Sequence, residues 1–246
     1  SSSISITMTI RVNCCSGPRN ISTALMYSFR ERQDTTVFDE PFYAHYLNVT
    51  RRDHPGREEV LKTQNQNPTQ VIEEIMLADH GTPVVFFKQM AHHLIEMDRS
   101  FLSQCVNVLL VREPTEMLAS LSVNLKDATL GDTGLESQVD LMEEILNEGE
   151  TPVVLDATTL RKNPRNALEK FCGNIGIPFD EAMLSWPAGP KPEDGVWEKY
   201  WYHGVHASTE FLPYEPKEVT IPEHLRDVVE EAVPLYERLS EYALEL

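Results

Sequence analysis

Several features that would assign the chain to a familiar class are scarce in its sequence. Only four of its 246 residues are cysteines, and none forms a CxxC pair of the kind that binds zinc. No apolar run approaches the roughly 20 residues that span a bilayer, and the first residues lack the basic and apolar regions of a signal peptide. We therefore expect buried free thiols and a reducing compartment, the cytoplasm.

Positive charge is also in short supply. Lys and Arg total 21 against 39 Asp and Glu, so the formal net charge is −18. A field of this sign repels nucleic acids and anionic membranes, and we expect neither as a partner. Because exposed charges are screened beyond about 10 Å at moderate salt, a local basic cluster can still bind an anionic small molecule.

The chain does contain a regular alternation of β-rich runs and helical patterns, which is typical of a parallel sheet covered by helices. Consecutive apolar residues such as Val84–Phe87 indicate strands buried on both faces. The predicted strands are Met8–Cys15, Thr36–Asp39, Pro83–Lys88, Val106–Val111 and Pro152–Asp156. The predicted helices are Ser22–Arg32, Pro68–Asp79, Ala91–Gln104, Pro114–Asp127, Leu135–Asn147, Asn163–Ile175 and Glu223–Leu246.

This pattern predicts a three-layer α/β/α fold with a mainly parallel sheet, and one domain over residues 1–246. Residues 1–7 are expected to be disordered or foreign to the native chain. The segment from Trp186 to Tyr214 is rich in Pro, Gly and aromatic residues, and linkers seldom carry so many aromatics. A loop of this length in a compact domain commonly covers a binding site, so we expect it to cover the ligand.

The turn between the first strand and the first helix has the composition of an anion site. It reads CSGPRNIST from Cys15 to Thr23. Backbone N–H groups converge at such a turn, and the helix N-terminus adds the positive end of its dipole. Arg19 supplies a fixed charge, and Ser22 and Thr23 supply hydroxyl donors. Ligands of open α/β sheets bind at the carboxyl ends of strands, where this turn lies.

The run from Pro18 to Thr23 resembles the 5′-phosphosulfate loop of sulfotransferases that use 3′-phosphoadenosine-5′-phosphosulfate (PAPS). Together with Asp39–His45, the run Ser16–Leu25 most resembles bacterial sulfotransferase-family proteins and the sulfotransferase-like part of plant branched-chain-aminotransferase-like proteins. Ile21 stands where the wider family has glycine, and isoleucine adopts positive φ poorly. The resemblance implies a P-loop nucleoside triphosphate hydrolase-like fold, PAPS as donor, the bisphosphate PAP as product, and no metal. It also implies that the donor contacts Arg19, Asn20, Ile21, Ser22 and Thr23.

Three further elements resemble the nucleotide-binding parts of this family. Arg112 ends the fourth predicted strand and Ser120 follows two helical turns later, so that a guanidinium and a hydroxyl can share the 3′-phosphate. Lys88 ends the third strand, where the family's lysine reaches the transferred sulfo group. The later loop carries Lys191, expected at the 3′-phosphate, and Trp197, which either stacks near the adenine or packs the loop down.

The residue that removes the acceptor's proton has several candidates. Many cytosolic members of the family carry a histidine two residues after the lysine, where this chain has Met90. Other members use a glutamate after the second strand, where Glu40 stands. We expect Glu40 to be the base and His92 to be second, with His93 and His45 as alternatives. The predicted catalytic residues are Glu40, Lys88 and His92, and the predicted acceptor contacts are Glu40, Phe42, Tyr43 and His45.

We therefore expect an enzyme that transfers a sulfo group from PAPS to a hydroxyl or amine of a small-molecule acceptor by in-line displacement. One alternative is an ATP-dependent P-loop phosphotransferase, although the Walker lysine is missing. The other is a non-catalytic nucleotide-binding module, although the chain carries Arg19, Lys88, Arg112 and Ser120 together. The identity of the acceptor and the oligomeric state stay open.

Overall fold

A computed structural model describes residues 8–246, so the expectation for residues 1–7 lies outside the described range. At its centre, five parallel strands pair in the order β2-β3-β1-β4-β5. The strands are β1 (Ile10–Ser16), β2 (Thr35–Asp39), β3 (Val84–Met90), β4 (Val106–Val111) and β5 (Val153–Asp156). The α-helices are α1 (Ser22–Arg30), α2 (Tyr43–Thr50), α3 (Arg57–Thr63), α4 (Pro68–Val71), α5 (Pro114–Leu121), α6 (Leu130–Thr133), α7 (Leu135–Asn147), α8 (Ala157–Lys162), α9 (Pro164–Ile175), α10 (Glu198–Trp201), α11 (His203–His206) and α12 (Arg226–Ser240).

Helices cover both faces of the sheet. Successive side chains of a strand point to opposite faces, so Cys14 packs with α1, α8 and α9 on one side. Cys15 packs with α5, α7 and α12 on the other side. All residues of Val84–Phe87 are buried, as a strand covered on both faces requires. The predicted α/β fold with a parallel sheet is confirmed.

The predicted helix Ala91–Gln104 is wrong. Two short 3₁₀ turns, Ala91–His93 and Ser100–Gln104, take its place. Glu96 between them has φ of 47°, which a right-handed helix does not allow. The Asp98 carboxylate then accepts a hydrogen bond from the Ser100 N–H, so a local side-chain bond replaces helical pairing.

Other predicted helices exist but have different bounds. The helix predicted to reach Asp127 ends at Leu121, and the one predicted over Pro68–Asp79 is one α-turn followed by a π-turn, Ile72–Met76. The last predicted helix begins and ends inside its expected range, as α12. Helix interiors were therefore easier to predict than helix ends, which depend on local caps and packing.

The scarce cysteines are free thiols, as expected: three are buried and Cys105 is partly exposed. Across residues 8–246, every helix is too short or too polar to cross a lipid bilayer.

The parallel direction of the strands sets the place of the site. Every strand ends at the same edge of the sheet, so the segments that follow β1, β2, β3 and β4 are neighbours there. Gly17 directly follows β1, and a Cβ on it would lie 2.4 Å from the carbonyl oxygen of Thr133. The absence of a side chain therefore lets the turn after α6 pack against the loop after β1.

Candidate functional site

A cavity of about 490 Å³ lies at the carboxyl edge of the sheet. This volume is within the usual range for small-molecule and cofactor sites. Its lining has five cationic side chains and three acidic ones, although the whole chain carries a net charge of −18. The cationic side chains are Arg19, Lys88, Arg112, Arg161 and Lys217. A local basic cluster, which an anionic ligand would require, is therefore present.

The loop between β1 and α1 forms one wall of the cavity in a strained conformation. Arg19 and Ile21 both have φ of 61°, in the left-handed region. Isoleucine adopts positive φ poorly, so this conformation has an energetic cost that the surroundings must offset. The Arg112 guanidinium donates to the Arg19 carbonyl oxygen at 2.6 Å, and the Asn20 amide donates to the Leu110 carbonyl oxygen at 3.2 Å.

The start of helix α1 is open toward this loop. Ile21 is its N-cap residue and provides no side-chain hydrogen bond to the first turn. The first N–H groups of a helix have no partner within the helix, and the dipole makes this end positive. The residues Pro18–Ala24 line the cavity. The uncapped helix start is therefore available to an anion.

Arg19 and Arg112 form a cationic pair beside this helix start. Arg19 donates to the Ser120 hydroxyl at 3.0 Å and to the Trp201 carbonyl oxygen at 2.9 Å. Burial, and then the charge of Arg112, lower the pKa of Arg19, and burial also lowers the pKa of Arg112. Arg112 Nε lies 3.5 Å from Glu116 Oε2, but the two hydrogen-bond partners of Arg19 are uncharged, so the charge of Arg19 is left unbalanced. An anion in the cavity would balance it.

Lys88, near the end of β3, lies at the centre of a buried polar cluster. Its amine donates to Glu40 Oε2 at 2.9 Å and to the Tyr202 hydroxyl at 2.5 Å, and it lies 3.3 Å from Asp39 Oδ1. The Tyr202 hydroxyl also donates to the Asp39 carboxylate, at 2.7 and 2.8 Å. The Trp197 indole donates to the same hydroxyl at 3.0 Å.

The cluster contains one amine, on Lys88, and two carboxyl groups, on Asp39 and Glu40. Burial opposes the charge on Lys88, but Asp39 and Glu40 outweigh it and raise the pKa of Lys88. Burial raises the pKa of Asp39 to about 6. One cation thus faces two carboxyl groups. Lys88 binds Glu40 Oε2, whereas Oε1 lies 4.0 Å from His93 Nδ1. The cluster retains a carboxylate oxygen that can accept a proton.

Histidines and aromatic rings form the wall next to Glu40. His92, His93 and Tyr43, all candidates from the sequence, line the cavity together with His54. Burial lowers the pKa of His92 and of His54 to about 4, and it lowers the pKa of His93 well below its ordinary value. These imidazoles are therefore uncharged at neutral pH. Among the described residues, no group of three or more His, Cys, Asp or Glu side chains could hold a metal ion.

Two predicted acceptor contacts lie outside the cavity. Phe42 is fully buried in the sheet core, where its ring packs against Phe101 at 5.8 Å. His45 is also buried, and its Nε2 hydrogen-bonds to the Ile95 carbonyl oxygen at 2.6 Å. Both side chains are turned away from the cavity, Phe42 into the core beside the sheet and His45 toward the segment that follows β3. Of this segment, Glu40 and Tyr43 reach the cavity.

Lys191 does not reach the cavity either. Its amine donates to the carbonyl oxygens of Pro187 and Gly189, at 2.7 and 2.5 Å, and lies over the Tyr27 ring. Gly189 has φ of 96°, which folds the loop back on itself so that the lysine binds its own loop. The predicted contact between Lys191 and a 3′-phosphate does not fit this geometry.

The segment from Trp186 to Tyr214 covers the cavity, and it contains α10 and α11 rather than one irregular loop. Trp197 lines the cavity and packs edge-on against Tyr43 at 5.1 Å, while its indole N–H is used by Tyr202. Of the two roles expected for Trp197, this geometry favours packing the segment down.

Sequence reasoning missed several residues in and behind the cavity wall. Asp39, which binds the Tyr202 hydroxyl, directly precedes Glu40 and so had a signal in the sequence. Arg161, which follows β5, had none. Its guanidinium donates to the Leu212 carbonyl oxygen at 2.9 Å and so ties the covering segment to α8. His54 comes from a stretch without a recognisable pattern.

Comparisons with known proteins agree with one another. A family model described as a sulfotransferase domain matches residues 10–243. Two proteins of Arabidopsis thaliana, branched-chain-amino-acid aminotransferase-like proteins 1 and 2, are 34% and 32% identical to this chain over 92% of its length. The chain spans 40% of the length of these curated relatives.

Solved structures show the same fold. The sulfotransferase domain of the Synechococcus PCC 7002 olefin synthase superposes with a TM-score of 0.56 at 14% identity, covering 100% of this chain and 98% of that one. A sulfotransferase from Alicyclobacillus acidocaldarius gives 0.54 at 12% identity, covering 95% and 96%. With the family match over nearly all of the described residues, the chain belongs to the sulfotransferase domain family.

Proposed function

We propose that the protein transfers a sulfo group from PAPS to a hydroxyl or amine of a small-molecule acceptor. The observation that carries the proposal is the grouping of Arg19, Lys88 and Arg112 around one cavity with the uncapped start of α1. Three cationic groups from three separate strand ends meet there in a strongly acidic chain. This arrangement suits a ligand with two phosphate-bearing ends.

In this proposal the two ends of the donor occupy opposite parts of the cavity. The 5′-phosphosulfate lies on residues 19–23 at the start of α1, near Lys88. The 3′-phosphate lies by Arg112 and Ser120, which are joined through Arg19. Arg161 also lines the cavity and adds positive charge. Product PAP keeps both phosphates and would retain most of these contacts.

The transfer step uses the cluster around Lys88. The acceptor's oxygen or nitrogen attacks sulfur in line as the bond from sulfur to the bridging phosphate oxygen breaks. Lys88 stabilises the charge that develops on that oxygen. The proton of the acceptor passes to Glu40, whose Oε1 is the oxygen that Lys88 does not bind. His92 has its Nδ1 against Gly134 and is less well placed to receive it.

Ligand-dependent thermal stability tests the donor assignment. PAP should raise the melting temperature in proportion to its binding free energy, and ATP with Mg²⁺ should not. Selective stabilisation by ATP with Mg²⁺ would favour a phosphotransferase instead. The transfer itself is tested by incubating the protein with labelled PAPS and a metabolite extract, and by identifying sulfated products by mass spectrometry. Tight binding of PAP without sulfated product would favour a non-catalytic module.

A further inference from the structure

The wall of the cavity next to Glu40 contains polar atoms without partners. His93 is completely buried, and neither of its ring nitrogens has a hydrogen-bond partner. In His54, Nδ1 pairs with the Tyr43 hydroxyl at 2.6 Å, but the buried Nε2 has no partner. A buried polar atom without a partner destabilises the folded protein, and a hydrogen bond from a ligand removes that cost. Both side chains line the cavity, so a bound molecule can supply the missing hydrogen bonds.

The same wall presents flat aromatic surfaces. The His93 ring stacks on Tyr43 at 5.0 Å and on Tyr46 at 4.5 Å. His54 lies 6.0 Å from the Trp201 ring, and Tyr43 and Trp201 both line the cavity. These rings fix the two imidazoles in place and offer apolar contact to C–H groups. A ligand here meets hydrogen-bonding atoms set among apolar ring faces.

The charge of this wall restricts the ligand further. Its histidines are uncharged at neutral pH, and the charged groups beside them include two carboxylates, Glu40 and Asp132, and two cations, Lys88 and Arg52. Glu40 is held by Lys88 and Asp132 by Arg52. An anionic acceptor would face two carboxylates and no unpaired cation at this wall. It is therefore disfavoured.

A neutral imidazole has one donor nitrogen and one acceptor nitrogen. A hydroxyl group both donates and accepts, so it can pair with either. An ammonium group only donates and would leave an imidazole N–H unmatched. One hydroxyl must be near Glu40 to react, so pairing His54 Nε2 and His93 requires further hydroxyls on the same molecule.

We infer that the acceptor is an uncharged small molecule with several hydroxyl groups and an apolar C–H face, a sugar or a cyclitol, bound by His54 and His93 between Tyr43 and Trp201. This inference rests on the proposed function, because it names the acceptor class of the same cavity. It goes beyond that function in choosing polyols over phenols, single alcohols, amines and sugar acids.

Saturation-transfer NMR on the wild-type protein, with and without PAP, tests the inference. The probes are myo-inositol and methyl glucoside as polyols, with cyclohexanol, phenol, glucosamine and glucuronate as comparators. Saturable binding of a polyol, tighter by about tenfold or more than each comparator, supports the inference. Equal or tighter binding of any comparator, or no saturable binding of either polyol, overturns it. If polyols bind but PAP does not, the subsite stands and the proposed donor is wrong.

Two variants and a control locate the binding. His54→Phe keeps a ring but removes Nε2, and we expect polyol affinity to fall about tenfold, the effect of one lost hydrogen bond. His54→Gln retains a polar group and should restore part of the affinity. PAP affinity should not change in either variant. His224→Phe, at an exposed histidine that does not line the cavity, should behave as wild type. Unchanged polyol affinity in folded His54→Phe overturns the assignment of the subsite.

Discussion

Arg112 has two functions at the residue scale, because it faces the cavity and also donates to the Arg19 carbonyl oxygen at 2.6 Å. Replacing it with alanine should remove a charged contact to the 3′-phosphate and loosen the strained loop. We expect Arg112→Ala to weaken PAP binding by about 1.5–3 kcal/mol, the range of a hydrogen bond to a charged group. Calorimetry on the folded variant measures this.

The control for this variant is Arg226→Ala, because the Arg226 side chain is 67% exposed and pairs with Glu223 on the surface. It removes the same charge from the chain without touching the cavity, so PAP affinity should stay at the wild-type level. Equal affinity for PAP in wild type and Arg112→Ala would remove Arg112 from the proposed donor site.

Glu40 is the proposed base, and its replacement by glutamine tests that role. In Glu40→Gln the amide oxygen can still accept from Lys88, but the side chain can no longer take a proton. We expect kcat to fall by about 10²–10⁴-fold, the usual contribution of a general base, while PAP affinity changes little. Steady-state kinetics with an active acceptor separates the two. A kcat within threefold of wild type would move the role of base to a histidine.

Individual site residues were predictable to different degrees. Arg19, Lys88 and Arg112 lie at strand ends, and parallel strands end at one edge, so their grouping follows from the strand assignment. Phe42 and Lys191 also stand beside recognisable motifs, yet one packs into the core and the other binds its own loop. Which way a side chain points from a turn depends on tertiary packing, which a sequence motif does not encode.

Tyr202 ties the segment that covers the cavity to the cluster around Lys88. Its hydroxyl accepts hydrogen bonds from Lys88 and Trp197 and donates to Asp39, between α10 and α11. In Tyr202→Phe these buried groups lose their shared partner. We expect a loss of about 1–3 kcal/mol in the free energy of unfolding, with faster amide hydrogen exchange in residues 197–206.

Tyr200→Phe is a matched control for that change, because Tyr200 lies in α10, two residues before Tyr202, and is 37% exposed. Its exchange rates and stability should match those of wild type. If Tyr202→Phe unfolds at the wild-type denaturant concentration, the hydroxyl does not hold the segment in place.

Strands and helices also differ in how far the sequence determines them. The apolar runs gave the five strands to within a few residues, since a strand buried on both faces has little freedom in composition. Helical periodicity predicted a helix over Ala91–Gln104, but His92 and His93 lie in a short 3₁₀ turn and line the cavity. Tertiary packing outweighs local helix preference there, and predictions from local sequence are expected to fail at such sites.

At the scale of the whole molecule, buried histidines should govern stability in mild acid. Burial lowers the pKa of His54 and of His92 to about 4 from an ordinary value of 6.5. Between these values the unfolded chain binds more protons than the folded one, so the free energy of unfolding rises with pH from about 4 to 6.5. Urea unfolding at a series of pH values measures the slope.

Asp39 has the opposite effect on the slope of the unfolding free energy against pH. Burial raises its pKa to about 6, so below this pH the folded chain binds a proton that the unfolded chain has lost. Several histidines oppose one aspartate, so the net slope should stay positive. His92→Asn should flatten the slope and Asp39→Asn should steepen it. A slope that is zero or negative in the wild type would contradict the assignment of uncharged histidines.

The contrast between an acidic chain and a cationic cavity should make the association rate of PAP depend on salt. With a net charge of −18, the protein repels a polyanion such as PAP over long range. The screening length falls from about 30 Å at 0.01 M salt to about 10 Å at 0.1 M. Added salt therefore suppresses the repulsion of the distant surface before it weakens contacts within the cavity. We expect the association rate of PAP to rise across this range, while the dissociation rate changes little. Stopped-flow measurements would separate the two. An association rate that falls steadily with salt would mean that the basic cluster dominates the field at long range as well.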